Sequence, residues 1–291
     1  MLDLSHIPSQ QQQNFTFYSL GAGVWQTWNK PRNAKFIEIF CLGGGAGGAI
    51  TTVGTGARAG GNGGCSSGIV RGIIPAFLLP DNLYILVGKG GAGSTGNATN
   101  GDVGGISYIG LQPSTSEQTL ICKSSTSTPN NSVTGPTIST VALSAFGNLG
   151  LFTAIAGVGA SAGGTSTPTQ GGSQASLGTS IITGGGGGGG KTAATFAAGG
   201  NITSASVILT SQVNGSIADA QNGADGYGTL IPFCGTGGAG GAGRQGDSGA
   251  GGRGGNGFYG CGGGGVGGGQ TATGTKGGNG GDGLVIITVI T

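Results

Sequence analysis

The chain contains 291 residues, 74 of them glycine, and its 7% of charged residues leave a formal net charge of +2. A glycine content of about a quarter, against a usual ~7%, argues against an ordinary globular fold, while the apolar segments between the glycine tracts argue against a disordered linker. The 11 lysines and arginines are spread singly along the chain, which excludes the basic patch that nucleic-acid binding requires.

The first residues lack the marks of a targeting segment. Residues 1–15 have neither the basic start nor the apolar core of a secretory signal. The longest apolar stretch, 69–87, is interrupted by charged residues and prolines, so we predict no membrane span. We divide the chain into a polar leader, 1–19, which is a candidate attachment or subunit-contact segment, and a glycine-rich domain, 20–291.

Short apolar segments rich in β-branched and aromatic residues predict strands. Alternating segments at 15–18 and 24–28 come first, and a turn at Lys30-Pro31 follows them. The clearest strands are expected at 34–42, 67–74, 83–88, 118–123 and 284–290. Glycine or proline interrupts every window of about a dozen residues that might carry a helical apolar stripe, so we expect little or no α-helix.

Glycine recurs at every third position late in the chain, at 237, 240, 243, 246, 249, 252 and 255. A period of three is typical of an extended helix with ~3 residues per turn. In such polyglycine II rods, only a hydrogen side chain lets neighbouring backbones lie close enough to exchange hydrogen bonds. Collagen shares the period but requires proline, which 235–283 lacks. We therefore predict an all-β, helix-poor fold in which a small β base, containing the first and last apolar strands, brackets a bundle of polyglycine II rods.

The cysteines point to packing and not to chemistry. They stand far apart and form no Cys-x-x-Cys pair, and with a single histidine they make a poor zinc set. We interpret all 5 as buried thiols of a protein made in a reducing cytosol.

Three segments, taken in order, resemble the glycine-rich domains of bacteriophage tail-fibre and adhesin proteins. The first is Trp28-Asn29-Lys30-Pro31, followed by an apolar strand that enters the glycine tract at 43–48. The second is the VGxGGxG element at 87–93, and the third is the closing GxDGxVxI element that begins at 280. The resemblance covers about residues 20–291, although the longer N-terminal attachment domain of the tip adhesins is not found here. It implies polyglycine II rods on a small β base, used in host recognition.

Residues 185–192 satisfy the P-loop pattern GxxxxGK[ST], with Lys191 and Thr192 in the phosphate and magnesium positions. A P-loop requires a following helix whose N-terminus faces the phosphates, but Gly199 and Gly200 interrupt the segment that follows. A run of seven glycines matches almost any glycine pattern. We therefore interpret the segment as part of the rod bundle.

Two further motifs resemble active or metal sites. Ser248 lies in a GDSG segment like that of chymotrypsin-like proteases, but the only available histidine base is His6 in the leader. Residues 277–285 fit one unit of the calcium-binding β-roll repeat, which binds ions only between stacked units, so we interpret them as the approach to the last strand. We expect no catalytic residue, no metal and no cofactor.

Four early aromatic residues, Phe17, Tyr18, Trp25 and Trp28, have side chains that suit stacking on a sugar or nucleobase. Their position beside the first strands favours packing in the core or at a subunit contact.

The resemblance and the composition predict a non-enzymatic phage virion fibre or adhesin that mediates host-surface recognition. Such a protein is assembled in the host cytoplasm and exposed on the particle, and its partners are other virion proteins and a cell-surface protein or glycan receptor. We expect a homo-oligomer, with a trimer as the first choice, and receptor contacts in the polar segments 112–144 and 201–219. Two alternatives stay open: a structural capsid or tail decoration protein anchored by its leader, and a self-assembling extracellular filament subunit.

Overall fold

The computed structural model describes residues 12–127, 151–167, 169–176, 181–204, 211–230 and 233–291. Within these ranges it contains β-strands, two short 3-10 turns at Ala76–Leu78 and Glu117–Thr119, and no α-helix. The strands are β1 (Gln12–Tyr18), β2 (Trp25–Asn29), β3 (Phe36–Leu42), β4 (Ile69–Pro75), β5 (Asn82–Leu86), β6 (Tyr108–Gly110), β7 (Leu120–Lys123), β8 (Phe152–Ile155), β9 (Gln174–Ser176), β10 (Ile202–Ser204), β11 (Gly228–Leu230), β12 (Phe233–Gly235) and β13 (Leu284–Ile290).

Two antiparallel sheets form the base of the molecule. One has the strand order β1-β13-β3-β4-β8 and the other β2-β5-β6-β7. Side chains alternate across β3, where Ile37, Ile39 and Cys41 are buried between the sheets while Phe36 and Glu38 lie on the outer face of the five-stranded sheet. The buried residues of both sheets share one hydrophobic cluster, so the base is a β-sandwich.

The described residues cover the outer face of the five-stranded sheet at the end from which the glycine tracts leave. There Leu42, Ile69 and Leu284 pack with Phe233 and Cys261 in a second cluster. Two short sheets complete the strands: β9 and β10 are parallel, and β11 and β12 are antiparallel.

The glycine tracts form rods whose backbone amides bond to other rods. In 43–50, the amides of Gly44, Gly47 and Ile50 donate to the carbonyls of 105, 102 and 99 in turn. The amides of 45 and 48 donate to 281 and 278, and those of 46 and 49 donate to 65 and 62. The amides of three successive residues thus donate to three different neighbouring rods, and every third amide donates to the same rod. This is the hydrogen-bond pattern of a polyglycine II helix with ~3 residues per turn.

The rod at 184–191 lies at the centre of the bundle. Its amides donate to three neighbouring rods and its carbonyls accept from three others, so that it has six neighbours. The donated bonds end at residues 58, 61 and 64, at 169 and 172, and at 238 and 241, and the accepted bonds begin at 161 and 164, at 197 and 200, and at 265 and 268.

Within the described ranges, seven ascending rods run away from the base and seven descending rods run back towards it. The hydrogen-bond partners give the direction of each rod. Along two parallel rods the residue numbers of the bonded partners rise together, and along two antiparallel rods one number rises while the other falls. The pairs are 43–50 with 58–66, 87–94 with 101–107, 158–164 with 169–172, 184–191 with 196–200, 213–216 with 221–227, 236–244 with 251–257, and 261–268 with 276–283.

The close approach of the rods requires glycine. A Cβ built on Gly187 would lie 1.9 Å from the Ala162 carbonyl oxygen, and one on Gly188 would lie 1.9 Å from that of Val266. These contacts are with the backbone of a neighbouring rod, which no rotamer change can move.

Where a rod has no neighbour on its outer side, an Asx side chain supplies the missing acceptor. Asp225 Oδ1 accepts from the Asn256 amide at 2.6 Å, and Asn256 Oδ1 accepts from the Asn279 amide at 2.9 Å. Asn279 Oδ1 accepts in turn from the Gly93 amide at 3.0 Å. This ladder completes the hydrogen bonding of the bundle along one exposed flank.

The all-β, helix-poor prediction is confirmed, and strands occupy all seven segments in which they were expected. The first and last apolar strands are neighbours, because β13 lies between β1 and β3. All 5 cysteines lie in the described part and are buried thiols, as expected. Residues 12–18, within the segment interpreted as a leader, form β1; residues 1–11, with His6, lie outside the described residues.

Candidate functional site: the distal loops

The loops that join ascending to descending rods all lie at the end of the bundle opposite the β base. Each loop joins two rods of the same hydrogen-bonded bundle, so the positions of the rods fix the position of the loop. We call them the distal loops, and they comprise residues 51–57, 95–100, 165–167, 192–195, 217–220, 245–250 and 269–275.

The distal loops present hydroxyl, amide and small apolar groups. Threonine is the commonest side chain among them, and Asp219 and Asp247 are their only charged residues in the part of the chain that the structure describes. Thr52, Thr55 and Ser248 are exposed. Such a surface suits hydrogen bonding to a polar partner and lacks the field that would steer a strongly charged one.

The distal loops are braced against each other by hydrogen bonds that run from one loop to the next. The Val53 amide donates to Asn97 Oδ1 at 2.9 Å, and the Gly54 amide donates to the Gly269 carbonyl at 3.1 Å. The Gly56 amide donates to Asp247 Oδ1 at 2.8 Å. Loop 51–57 is thereby tied to three other loops, which makes the distal end a continuous surface.

A buried lysine fixes the centre of that surface. Lys191 ends the central rod, and its side chain has 0% exposure. Its ammonium donates to the Gly246 carbonyl at 2.7 Å and to Asp247 Oδ1 at 3.3 Å. A charge so buried is tolerated because it is paired and hydrogen-bonded. Hydrogen bonds from the Gly56 amide and then from Lys191 hold the pKa of Asp247 below its usual value.

A second bridge crosses the other side of the distal end. Asp219 Oδ1 accepts from the Gln245 amide at 2.6 Å, and Asp219 Oδ2 lies 3.9 Å from Arg244 Nε. The Gln245 side-chain amide donates to the Ala194 carbonyl at 2.7 Å. The side chains of Asp219 and Gln245 therefore hold loops 192–195, 217–220 and 245–250 together.

The P-loop pattern at 185–192 has no phosphate-binding geometry. Every amide from Gly185 to Lys191 already donates to a carbonyl of another rod, and no helix follows. The lysine of the pattern is buried against Gly246 and Asp247. The interpretation of the segment as part of the rod bundle is correct.

The other motifs are placed in the same way. Ser248 is exposed on a distal loop, and His6, the only histidine of the sequence, lies outside the described residues. Residues 277–283 form a rod leading into β13, where Asp282 Oδ1 accepts from the Gly90 amide at 2.7 Å. In the described ranges, no three histidine, cysteine or acidic residues come together as a metal site requires.

Three of the four early aromatic residues are buried or partly buried, and Tyr18 is 42% exposed. Trp28 is 3% exposed and meets Phe15 edge to face at 5.9 Å, and Phe17 packs against the same cluster. Trp25 lies 6.4 Å from Tyr108, and Tyr18 lies 5.8 Å from Tyr259.

The segments expected to carry receptor contacts are separated in the structure. Residues 112–119 follow β6 at the end of the base farthest from the distal loops, and 128–144 lie outside the described residues. Within 201–219, Ile202 and Val213 are buried in the bundle while 217–219 reach the distal end. Sequence reasoning missed the loops at 51–57, 245–250 and 269–275. The signal that marks them is the interruption of glycine tracts by short runs rich in Thr, Ser and Gln.

The described part of the chain contains no helix with the length and apolarity that crossing a bilayer requires. Among proteins with curated descriptions, the comparison finds no match to this chain. A family model described as a glycine-rich domain matches residues 20–289. That match spans nearly the whole sequence, including all the rods and every base strand except β1, and on this basis the chain belongs to the glycine-rich domain family.

Proposed function

We propose that this chain is a non-enzymatic phage virion fibre or adhesin protein whose distal loops recognise the host surface. The observation that carries the proposal is the arrangement of seven loops from distant parts of the sequence into one braced surface at the free end of a rigid bundle. Loops held on a rigid scaffold are the usual carriers of binding function.

The chemistry of the surface supports recognition and not catalysis. Exposed threonine and serine hydroxyls and amide groups hydrogen-bond to glycans or to polar protein loops. The braces between loops lower the entropy lost on binding, because the surface is already ordered. The partners proposed are a host cell-surface receptor and, at the β base, other virion proteins.

Binding of the fluorescently labelled full chain to a panel of bacteria tests the proposal. Thr52→Lys and Ser248→Lys place a long charged side chain on the distal surface and are expected to weaken binding by at least about tenfold, a loss of ~1.4 kcal/mol. Thr115→Lys makes the same change on an exposed base residue and is the matched control. It should bind like the wild type.

If binding is lost only in Thr115→Lys, recognition lies in 112–119, and the proposal that the distal loops bind the host surface is wrong. Imaging of intact particles with a label on this chain separates the fibre from the decoration protein, since only a fibre projects the label away from the capsid or tail surface. Polymerisation of the purified chain by itself would favour the filament subunit.

A further inference from the structure

The uncovered half of the five-stranded sheet is an apolar surface of the base that no described residue covers. On its outer face Phe36 is 46% exposed, Ile73 is 48% exposed and Ile155 is 36% exposed. The register makes Phe36 and Ile73 neighbours, because Phe36 faces Pro75, and Glu38 faces Ile73, on adjacent strands, whereas Ile155 faces Ile69 nearer the rods. Isolated exposed apolar residues are common, but a contiguous group across neighbouring strands marks an interface.

A groove of about 470 Å³ continues this apolar face towards the rods. Phe40 and Ile286 lie in its floor, and Ile181, Leu230 and Phe233 line the side nearest the rods. The face is therefore partly flat and partly concave, which suits contact with another folded surface better than with a small ion.

The charges of the face indicate what covers it. Glu38 and Arg71 lie on neighbouring central strands and pair with each other at 2.5 Å, and Arg71 is 64% exposed. They leave the face with no net charge and with one group of each sign. A two-fold axis that passes between β3 and β4 brings Glu38 of each copy beside Arg71 of the other, so the face is electrostatically complementary to itself.

We infer that this face, centred on Glu38, Ile73 and Arg71, is a self-association surface that binds a second copy of the same chain. Five strands at ~4.8 Å spacing and seven residues at ~3.4 Å give roughly 500 Å² for the whole outer face of one copy, the uncovered half and the groove together. Standard interfaces bury ~800 Å² per partner, so we expect a weak, concentration-dependent association. The distal loops stay free, because the face belongs to the base.

Sedimentation velocity of the full chain over a range of micromolar concentrations tests this inference. The wild type is expected to show a concentration-dependent dimer. Glu38→Arg and Arg71→Glu each place like charges across the axis and should raise the dimer dissociation constant by at least about tenfold. An equimolar mixture of the two variants should restore the dimer as a heterodimer, since the arginine introduced in one variant then meets the glutamate introduced in the other.

Ile73→Asp should also abolish the dimer, and Val103→Asp is its matched control. Val103 is 50% exposed on a rod outside this face, so its charge should leave the dimer intact. A wild type that stays monomeric, a mixture that does not recombine although both variants keep the wild-type circular dichroism, or equal disruption by Val103→Asp would each overturn the inference. None of these results depends on whether the distal loops bind a host receptor.

Discussion

Replacing Gly187 by alanine tests whether the close packing of the rods holds the molecule together. The new Cβ would lie 1.9 Å from the Ala162 carbonyl oxygen and 2.5 Å from its carbon. Relief of that contact requires the neighbouring rod to move by more than about 1 Å, because ordinary carbon–oxygen contacts exceed ~3 Å. The two bonds by which this neighbour donates to the central rod, from Ser161 at 3.1 Å and from Gly164 at 2.7 Å, would then break.

The magnitude follows from these terms. Two lost hydrogen bonds cost about 1–3 kcal/mol, and overpacking adds about 1–3 kcal/mol. The smaller conformational entropy of the unfolded alanine chain offsets about 0.5–1 kcal/mol. We therefore expect Gly187→Ala to lower the free energy of unfolding by about 2–5 kcal/mol, a large fraction of the ~5–15 kcal/mol typical of a domain.

Urea unfolding followed by circular dichroism and tryptophan fluorescence measures the change. Gly96→Ala is the matched control, because its Cβ would meet only the side chain of Thr99, at 3.0 Å, in a distal loop. We expect the control to lie within about 0.5 kcal/mol of the wild type. If Gly187→Ala is equally mild, the rods are not packed as closely as the structure shows, and the steric explanation for the glycines is wrong.

Three further predictions concern single groups. Because the pKa of Asp247 is lowered in the folded state, its ionised form stabilises the fold at pH values above the usual ~3.9. This contribution is lost as the pH falls through the folded-state pKa. The difference in urea midpoint between wild type and Asp247→Asn should therefore shrink below about pH 4. Burial raises the pKa of Cys261 to about 12, so a thiol reagent at pH ~8 should not label it in the native protein and should label it after unfolding. Asn256→Ala removes the acceptor of the Asn279 amide and should lower the free energy of unfolding in urea by about 1 kcal/mol, whereas Ser248→Ala should leave it unchanged. Equal effects of the two substitutions would show that the Asx ladder does not stabilise the fold.

The base and the rods were predictable to different degrees. Strands such as 284–290 have the length and composition of a buried strand, and the period of three from Gly237 onward predicts the rods at 236–244 and 251–257. The same period runs on through Gly246 and Gly249, which the structure places with positive φ in the distal loop between these rods. The order of the rods was not predictable, because a glycine amide carries no side chain that distinguishes one neighbour from another. The central position of 184–191 depends on six partners that are scattered between residues 58 and 268.

The candidate site was the least predictable part. Loops 51–57 and 245–250 lie at the distal end because the rods alternate in direction. The sequence does not show where each rod ends, so it does not show which turns lie at which end of the bundle. Lys191 shows the difficulty most clearly. In the sequence it is the lysine of a nucleotide-binding pattern, whereas in the structure its ammonium holds Gly246 and Asp247 in place.

The three-residue repeat of inter-rod hydrogen bonds has a consequence for how this chain tolerates insertions and deletions. Loss of one residue within a rod rotates every later amide by about 120°, so that each donor faces the wrong neighbour, whereas loss of three residues restores the orientation and only shortens the rod by ~9 Å. The turns between rods are exempt from this rule, since their ends are fixed by the lattice on both sides. Length changes in steps of three should therefore accumulate inside the rods of related chains, and changes of any size at their tips.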